Sequence, residues 1–361
     1  MSNRTELIKK IEVKRGTRVI AYVTSSKPNL RVHISPMHVR QIKRHLDSIP
    51  KGSAIDLFLY SLGGDSSTPW PLINLLRERA GKLSVLIPFR AFSAATSISI
   101  GADEIVMAEM GTLGPIDPTV TNLFNPVING QQVGISVEDV SHFAKLARNV
   151  FKINSSEGKS GVMERLAQDV KPLALGNAYR HYVKARADAK ELLSLHMKPW
   201  EMFKRDRIVK TLVEELYYHG HHINRGEAER IGLKVVRPDD ELEGMMWSLF
   251  EKFEADMGME VPYADAVTPA TGRLIPVTYI ESSGRCDTIN LKQVITPMNF
   301  PVDAKLTIAD GKPAVLVQAA GGINQLFPLA TQGTPTIING AICDKVEQEE
   351  VAVEMVTPAP R

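Results

Sequence analysis

Three short apolar runs, each followed by a turn of small residues, dominate the pattern of the first third of the chain. The runs are Ala54–Tyr60, Leu83–Pro88 and Glu104–Ala108. Their length and their content of β-branched residues predict strands. Between the first two runs, Pro69–Arg79 carries apolar residues at helical spacing. This order predicts a βαβ unit, and therefore an α/β protein with a mostly parallel sheet and right-handed crossovers.

The same periodicity assigns most of the remaining segments. A first strand is predicted at Arg18–Thr24, ahead of the three runs. Helices are predicted at residues 1–15, Pro36–Leu46, Ala94–Gly101, Val137–Val150, Pro172–Met197, Ile208–Tyr217, Asn224–Gly232 and Asp240–Asp256. Two segments rich in Asn, Gly, Ser or Pro, Thr119–Gly134 and Asn154–Gly161, are predicted to be loops.

The pattern changes after Val261, where short apolar runs alternate with Gly and Pro. Strands are predicted there at Val277–Glu281, Lys305–Ile308, Ala314–Val317 and Thr336–Ile338. The sequence therefore predicts a main α/β domain over residues 1–260 and a small β-rich extension over residues 261–361. The polar tail, Glu347–Arg361, is predicted to be mobile.

Two of the turns carry residues that suit acyl-transfer chemistry. Gly63 and Gly64 follow the first apolar run, where backbone N–H groups can turn toward a ligand with no Cβ in the way. Ser93 follows the second run and stands at the start of a helix of small residues, near free N–H groups. An oxyanion held by such amides is stabilised as it forms. The two loops thus predict a nucleophile and an oxyanion hole.

The segments around these turns resemble a known family. They are the Gly63-Gly64 turn, Ala91–Thr96, Ala102–Met107 and Leu113–Pro118, and Ser93 lies 29 positions after Gly64. Together they resemble the serine dehydrogenase proteinase family, over roughly residues 15–235. That family is similar to signal peptide peptidase A and the Clp protease subunit, and shares its fold with the crotonases. The resemblance implies a Clp/crotonase-like ββα spiral fold and a homo-oligomer.

The resemblance also implies a function. The expected activity is that of a cytoplasmic serine peptidase, which cleaves a peptide or protein substrate through an acyl-enzyme on Ser93. The expected oxyanion hole consists of Gly63, Gly64 and Ala94. No cofactor and no metal are expected.

The sequence does not identify the general base that would activate Ser93. Clp-like peptidases carry a histidine in the segment that corresponds to Leu113–Pro118, and this chain has none there. Signal peptide peptidase A uses a lysine, and Lys171, at the mouth of a long predicted helix, is the first choice for that role. The rival lysines are Lys145, Lys152 and Lys159. The alternative base is His219, although Gly220 stands where related sequences carry an acid. The type is thus Ser-Lys or Ser-His.

Two acidic residues, Asp65 and Asp117, flank the predicted cleft. Each is suited to orienting a base or binding substrate, and each is equally suited to turn formation. Two other functions use the same fold: a crotonase-type enzyme that stabilises an enolate of an acyl-CoA, and a catalytically silent scaffold. The absent histidine and Gly220 favour the scaffold.

Composition narrows the remaining possibilities. The formal net charge of +2 gives no support to nucleic-acid or anionic-membrane binding. No apolar stretch of bilayer-spanning length is free of charge, and the N-terminus lacks the apolar core of a signal peptide. These features predict a cytoplasmic protein without a membrane span. Cys286 and Cys343 are isolated in sequence and are predicted to be reduced.

Overall fold

The structure, a computed structural model, describes part of the chain of 361 residues. The described residues are 3–28, 30, 32–117, 119–128, 131–216, 220–261, 274–298, 305–309, 312–318, 324–328, 336–338 and 341–356. The chain forms two compact units. Unit 1 comprises Met1–Thr24, His33–Lys252 and Ile280–Arg285, and unit 2 comprises Ser25–Val32, Phe253–Tyr279 and Cys286–Arg361.

The helices and strands follow one another in mixed order. The strands are β1 Arg18–Thr24, β2 Ala54–Tyr60, β3 Lys82–Ile87, β4 Arg90–Ala91, β5 Glu104–Met107, β6 Thr112–Leu113, β7 Thr119–Val120, β8 Val127–Ile128, β9 Gln131–Gln132, β10 Ile135–Ser136, β11 Ile223–Asn224, β12 Val235–Val236, β13 Leu274–Ser282, β14 Arg285–Met298, β15 Lys305–Ala309, β16 Lys312–Gln318, β17 Asn324–Pro328, β18 Thr336–Ile338 and β19 Ala341–Val356. The helices are α1 Asn3–Arg15, α2 Pro36–Asp47, α3 Pro69–Arg79, α4 Ala94–Ile100, α5 Val137–Asn149, α6 Ser156–Asp169, α7 Pro172–Ser194, α8 Met202–Lys210, α9 Arg225–Ile231 and α10 Asp240–Met257.

The core of unit 1 is a parallel sheet. Strands β12, β5, β3, β2 and β1 lie side by side in this order, and each neighbouring pair is parallel. Every residue of β2 and β3 after the first is buried, as expected for strands covered on both faces. The predicted α/β class with a mostly parallel sheet is confirmed. The parallel register places the turns that follow β2 and β3 at the same edge of the sheet.

A second, smaller sheet extends this edge. Strand β4 pairs in parallel with β6, and β6 pairs antiparallel with β11. The register brings Ala91 and Ile223 to opposite sides of Leu113. These strands are only two residues long, so they have too few positions to show a periodic pattern. The small sheet joins the residues around position 91 to a segment more than 120 positions later.

Helix α4 is short and consists of Ala, Ser, Thr and Ile residues, all of which are buried. Its hydroxyl groups are satisfied inside the fold, which allows Ser and Thr to occupy a core helix. The Ser99 hydroxyl donates to the Ala95 carbonyl oxygen at 2.7 Å. The Thr96 hydroxyl lies 2.8 Å from the carbonyl oxygens of both Ala91 and Gly114. These contacts connect α4 to the end of β4 and to the turn after β6.

Three segments differ from the sequence prediction. Asn154–Gly161 was expected to be a loop, and instead α6 begins at Ser156, where the Ser155 hydroxyl accepts the Gly158 N–H at 3.0 Å. No residue of α6 is buried, so its polar composition is that of an exposed helix. Residues 119–134 contain three short strands. The predicted helix at Ile208–Tyr217 starts earlier, as α8, and continues as a π-helical segment over Thr211–Glu215.

Unit 2 is rich in strands where it is described. Strands β15, β16 and β17 form an antiparallel meander, and β18 pairs antiparallel with β19. The expectation of a mobile tail from Glu347 onward stays a prediction, although β19 covers these residues as far as Val356. Val351, Val353 and Met355 alternate with polar or small residues there, which is a strand pattern. Residues 357–361 and the side chain of Cys343 lie outside the described part, so the cysteine prediction stays a prediction.

A buried histidine on α2 makes the stability of the fold dependent on pH. His38 is 1% exposed, and its Nδ1 lies 2.6 Å from the Tyr22 hydroxyl. Burial lowers the pKa of His38 from 6.5 to about 4. The unfolded chain therefore takes up a proton between these pH values that the folded chain does not. We expect the free energy of unfolding to fall by about 3 kcal/mol as the pH drops from 6.5 to 4.

The measurement is urea unfolding at pH 7 and at pH 4.5, for the wild type and for His38→Asn. Asparagine keeps an acceptor near the position of Nδ1 but does not titrate. The difference in stability between the two pH values should shrink by about 2–3 kcal/mol in this variant. His33→Asn, at an exposed position, is the matched control and should keep the wild-type dependence. Equal pH dependence in His38→Asn and wild type would contradict the prediction.

Candidate active site

The diglycine turn after β2 and the serine after β4 lie against each other. The two segments are joined by backbone hydrogen bonds: Ser61 N–H donates to Arg90 O at 3.0 Å, and Phe92 N–H donates to Ser61 O at 3.0 Å. A Cβ built on Gly63 would lie 2.9 Å from the Ser93 Cβ and 3.4 Å from its Oγ. Only glycine therefore fits beside the serine. Two turns that are far apart in sequence meet in space, as the parallel register requires.

Ser93 has a backbone conformation that is rare for a residue with a side chain. Its φ is 53° and its ψ is −112°, a region that glycine favours. It is the N-cap of α4, but its side chain does not cap the helix. Ser93 is partly exposed, and no described side chain hydrogen-bonds to its hydroxyl. The strained turn thus presents a hydroxyl to which no described side chain is bonded.

Two backbone amides near Ser93 donate to no described residue. Within the described part of the chain, the N–H groups of Gly64 and Ala94 have no acceptor, whereas Ala95 N–H donates to Phe92 O at 2.9 Å. The Gly63 N–H donates to the Ser61 hydroxyl at 3.1 Å, so Gly63 contributes the turn conformation, with a φ of 112°. Free amides at a helix N-terminus and in a glycine turn are suited to binding an oxyanion.

Buried hydroxyl groups hold both turns in place. Ser61 is fully buried, and its Oγ lies 2.8 Å from the Thr24 hydroxyl and 3.3 Å from Gly63 O. On the other side, the Thr96 hydroxyl accepts Gly114 N–H at 3.1 Å, in addition to its contacts with two carbonyl oxygens. The bonds of Ser61 hold the diglycine turn, and the bonds of Thr96, in α4, hold the turn at Ser93.

His222, the last residue of the histidine-rich segment 219–222, contacts Phe92, the residue before Ser93. The ring of His222 packs edge-on against the ring of Phe92, with 4.9 Å between ring centroids. Gly114 follows β6 beside them, and a Cβ there would approach the Phe92 ring to 3.1 Å. His221 Nε2 lies 2.9 Å from Glu227 Oε1. The predicted base, His219, lies outside the described residues.

His222 was not among the bases predicted from the sequence. The signal available was the presence of three histidines in four positions, 219, 221 and 222. What the sequence did not reveal was the pairing of β11 with β6, which brings this segment to the serine turn.

The lysines proposed as bases are placed differently. Lys171 is the N-cap of α7 and is exposed, as are Lys152 and Lys159, while Lys145 is half-buried. An exposed lysine lacks the desolvation that would favour its neutral form. In the described part of the chain, none of the four forms a hydrogen bond with Ser93.

The two acidic residues at the edges of the cleft have structural contacts. The Asp65 carboxylate accepts the Ser67 N–H at 2.7 Å and the Ser67 hydroxyl at 2.6 Å, which is the turn chemistry considered for it. The Asp117 carboxylate accepts the Ser136 hydroxyl at 3.0 Å. Over the described residues, there is no group of three or more His, Cys, Asp or Glu side chains arranged to hold a metal ion. Likewise, no described helix is long and apolar enough to cross a membrane.

The described residues form an α/β protein in which Ser93 and the diglycine turn meet at the edge of a parallel sheet, and part of the chain matches a known family. Residues 1–142 match the family of ClpP-like SDH-type serine proteinases. The match contains both turns and confirms the resemblance and the ClpP-like fold.

The two curated relatives described next are uncharacterized, so they indicate no activity. The chain is 31% identical over 123 residues to the uncharacterized protein MJ1495 of Methanocaldococcus jannaschii. It is 27% identical over 121 residues to the uncharacterized protein MJ0137 of the same organism. Each match covers 32% of this chain and 42% of the relative, so the chain spans less than half of the length of the curated relatives it matches.

Among solved structures, the chain is similar to two variants of the 1510-N membrane-bound stomatin-specific protease, one of them in complex with a substrate peptide. Sequence identities are 15% and 16%, and the TM-score is 0.35 for both. The matches cover 68% of this chain and 89% and 84% of the protease variants. Similarity at this level supports no inference about this chain.

Proposed function

We propose that this protein is a serine peptidase that uses Ser93 as its nucleophile. The observation that carries the proposal is the convergence of a strained, partly exposed serine with a diglycine turn, beside two unused amides. Strain of this kind persists where the surrounding fold enforces it, and it is concentrated at functional sites. The match of residues 1–142 to a serine proteinase family supports the same assignment.

In the proposed reaction, Ser93 Oγ attacks the carbonyl carbon of a peptide bond and gives its proton to a base. The carbonyl oxygen becomes an oxyanion and binds to the N–H groups of Gly64 and Ala94, beside the Gly63 turn. The base then protonates the leaving amine as the C–N bond breaks, which leaves an ester on Ser93. Water attacks the ester through the same base, and this step releases the acid and restores the hydroxyl.

The base is proposed to come from the histidine segment, with His219 as its first member. The contact between His222 and Phe92 supports this choice, because His222 is only three positions from His219 in the chain. A histidine also titrates near neutral pH without special burial. Lys171 remains the alternative and would need to be buried by another subunit before it acts as a base. A cytoplasmic location, expected from the composition, and a homo-oligomer, expected from the resemblance, complete the proposal.

The decisive experiment is labelling of the full chain with a fluorophosphonate probe, followed by peptide mapping. We expect one adduct, on Ser93, and no adduct in Ser93→Ala. Ser97→Ala is the matched control: Ser97 lies one turn further along α4 and should not affect labelling. Wild-type protein that is folded but unlabelled, or labelling that survives in Ser93→Ala, would contradict the proposal. The pH dependence of labelling in His219→Gln and Lys171→Gln then identifies the base.

A further inference from the structure

A cavity of about 410 Å³ lies between helices α5 and α6, away from the serine turn. Its apolar walls are formed by Ala144, Ala147, Ile153, Val162 and Met163. The volume lies within the usual range for small-molecule sites. Ala147 is the only residue of α5 that is buried, and no residue of α6 is, so the space between the two helices is left unfilled by the described side chains.

The floor of the cavity is held in place by specific contacts. Ile153 follows α5, and its N–H donates to the Ala147 carbonyl oxygen at 3.0 Å. A Cβ on Gly158 would lie only 2.5 Å from Ile153 Cγ2, so the glycine makes room for the isoleucine side chain. The Ser155 hydroxyl accepts the Gly158 N–H at 3.0 Å and fixes the start of α6. The cavity therefore has a defined wall where the chain turns between the helices.

The charge of the lining is uniform. Lys145, Arg148 and Lys159 line the cavity, and none of its lining residues is acidic. Arg148 Nε donates to the neutral amide oxygen of Asn149 at 3.1 Å, and within the described part of the chain Lys159 has no ion-pair partner. Lys145 interacts with the carboxylate of Glu138, which is not part of the lining. Three cations beside apolar walls favour a ligand with an anionic head and an apolar body.

The hydrogen-bonding groups of the lining side chains further restrict which class of ligand fits the cavity. Lysine and arginine side chains are donors only, and the other lining side chains have no acceptor apart from the weak thioether of Met163. A peptide in this cavity would find no strong acceptor among the lining side chains for its N–H groups. A carboxylate on a hydrocarbon chain has acceptors at its head and no donors along its body. We propose that the cavity between α5 and α6 binds an unbranched long-chain carboxylate, with its head on Arg148 and Lys159.

The proposal does not depend on the peptidase activity and is tested by calorimetry with dodecanoate below its micellar concentration. We expect saturable binding to the wild-type chain and equal binding to Ser93→Ala. The double variant Arg148→Gln/Lys159→Gln should raise the dissociation constant by about tenfold or more, because it removes charge-assisted hydrogen bonds to the head. Ala144→Phe, at an exposed position on the cavity wall, should block the chain of the ligand. Lys152→Gln, an exposed cation outside the lining, is the matched control and should bind as wild type.

Dodecylamine and dodecanol separate this site from general apolar binding. We expect little binding of either, since the amine is repelled by the three cations and the alcohol lacks a charge. Absence of dodecanoate binding at millimolar concentration would overturn the proposal. So would unchanged affinity in both cavity variants, provided that circular dichroism shows them to be folded. Equal affinity for dodecanoate and dodecylamine would overturn it as well.

Discussion

Replacing Ser93 with glycine is expected to abolish hydrolysis and to leave a protein that is more stable than the alanine variant. Both substitutions remove the hydroxyl, so both should lower the turnover number by about a thousandfold or more. Only glycine also relieves the backbone strain, because the φ of 53° and ψ of −112° at this position are costly for any residue with a Cβ. Strain of this kind is worth about 1–3 kcal/mol.

The comparison between Ser93→Gly and Ser93→Ala isolates the strain. No capping hydrogen bond is lost in either variant, since the Ser93 side chain does not cap α4. The extra flexibility of glycine in the unfolded chain costs about 0.5–1 kcal/mol and reduces the gain. Urea unfolding should therefore show Ser93→Gly to be more stable than Ser93→Ala by about 1 kcal/mol. Equal stability of the two, or retained peptidase activity in either, would be inconsistent with a strained nucleophile.

The convergence of the two turns could be predicted from the sequence, because it follows from the geometry of parallel strands. Apolar runs of strand length with a helix between them predict parallel neighbours, and the carboxyl ends of parallel strands lie at one edge. Gly64 and Ser93 each follow such a run. The strain at Ser93 was not accessible in this way. It arises from the bonds of the flanking residues, such as Phe92 N–H to Ser61 O, and these depend on the assembled fold.

The contact of His222 with Phe92 shows a second limit of prediction from the sequence. It depends on β4, β6 and β11, each of which has two residues. Pairing between such short strands is decided by tertiary contacts. A Cβ on Gly114 would crowd the ring of Phe92, which meets the ring of His222. Helix α6 illustrates the opposite error. Its glycine, serine and lysine residues are typical of a loop, but a capped and exposed helix tolerates them.

The second large effect is expected from Gly64→Ala. A Cβ at this position would lie 2.3 Å from the backbone nitrogen of Ile34 and 2.4 Å from its carbonyl oxygen. Both atoms are bonded to the turn: Ile34 N–H donates to Gly63 O at 2.8 Å, and Asp65 N–H donates to Ile34 O at 2.9 Å. A methyl group cannot be accommodated by a side-chain movement, so these bonds must lengthen or break. We expect a loss of about 3 kcal/mol or more in the free energy of unfolding.

Labelling of Ser93 by the fluorophosphonate probe should fall together with stability in Gly64→Ala, because the amide of Gly64 is one of the two proposed oxyanion donors. Gly176→Ala is the matched control. Gly176 lies in helix α7, and the position that an alanine methyl group would take there has open space within 4 Å. Alanine at this position should raise stability by about 0.5–1 kcal/mol through helix propensity. Urea unfolding and fluorophosphonate labelling of both variants provide the test. A Gly64→Ala protein with wild-type stability and labelling would show that the turn does not approach Ile34 as closely as the structure has it.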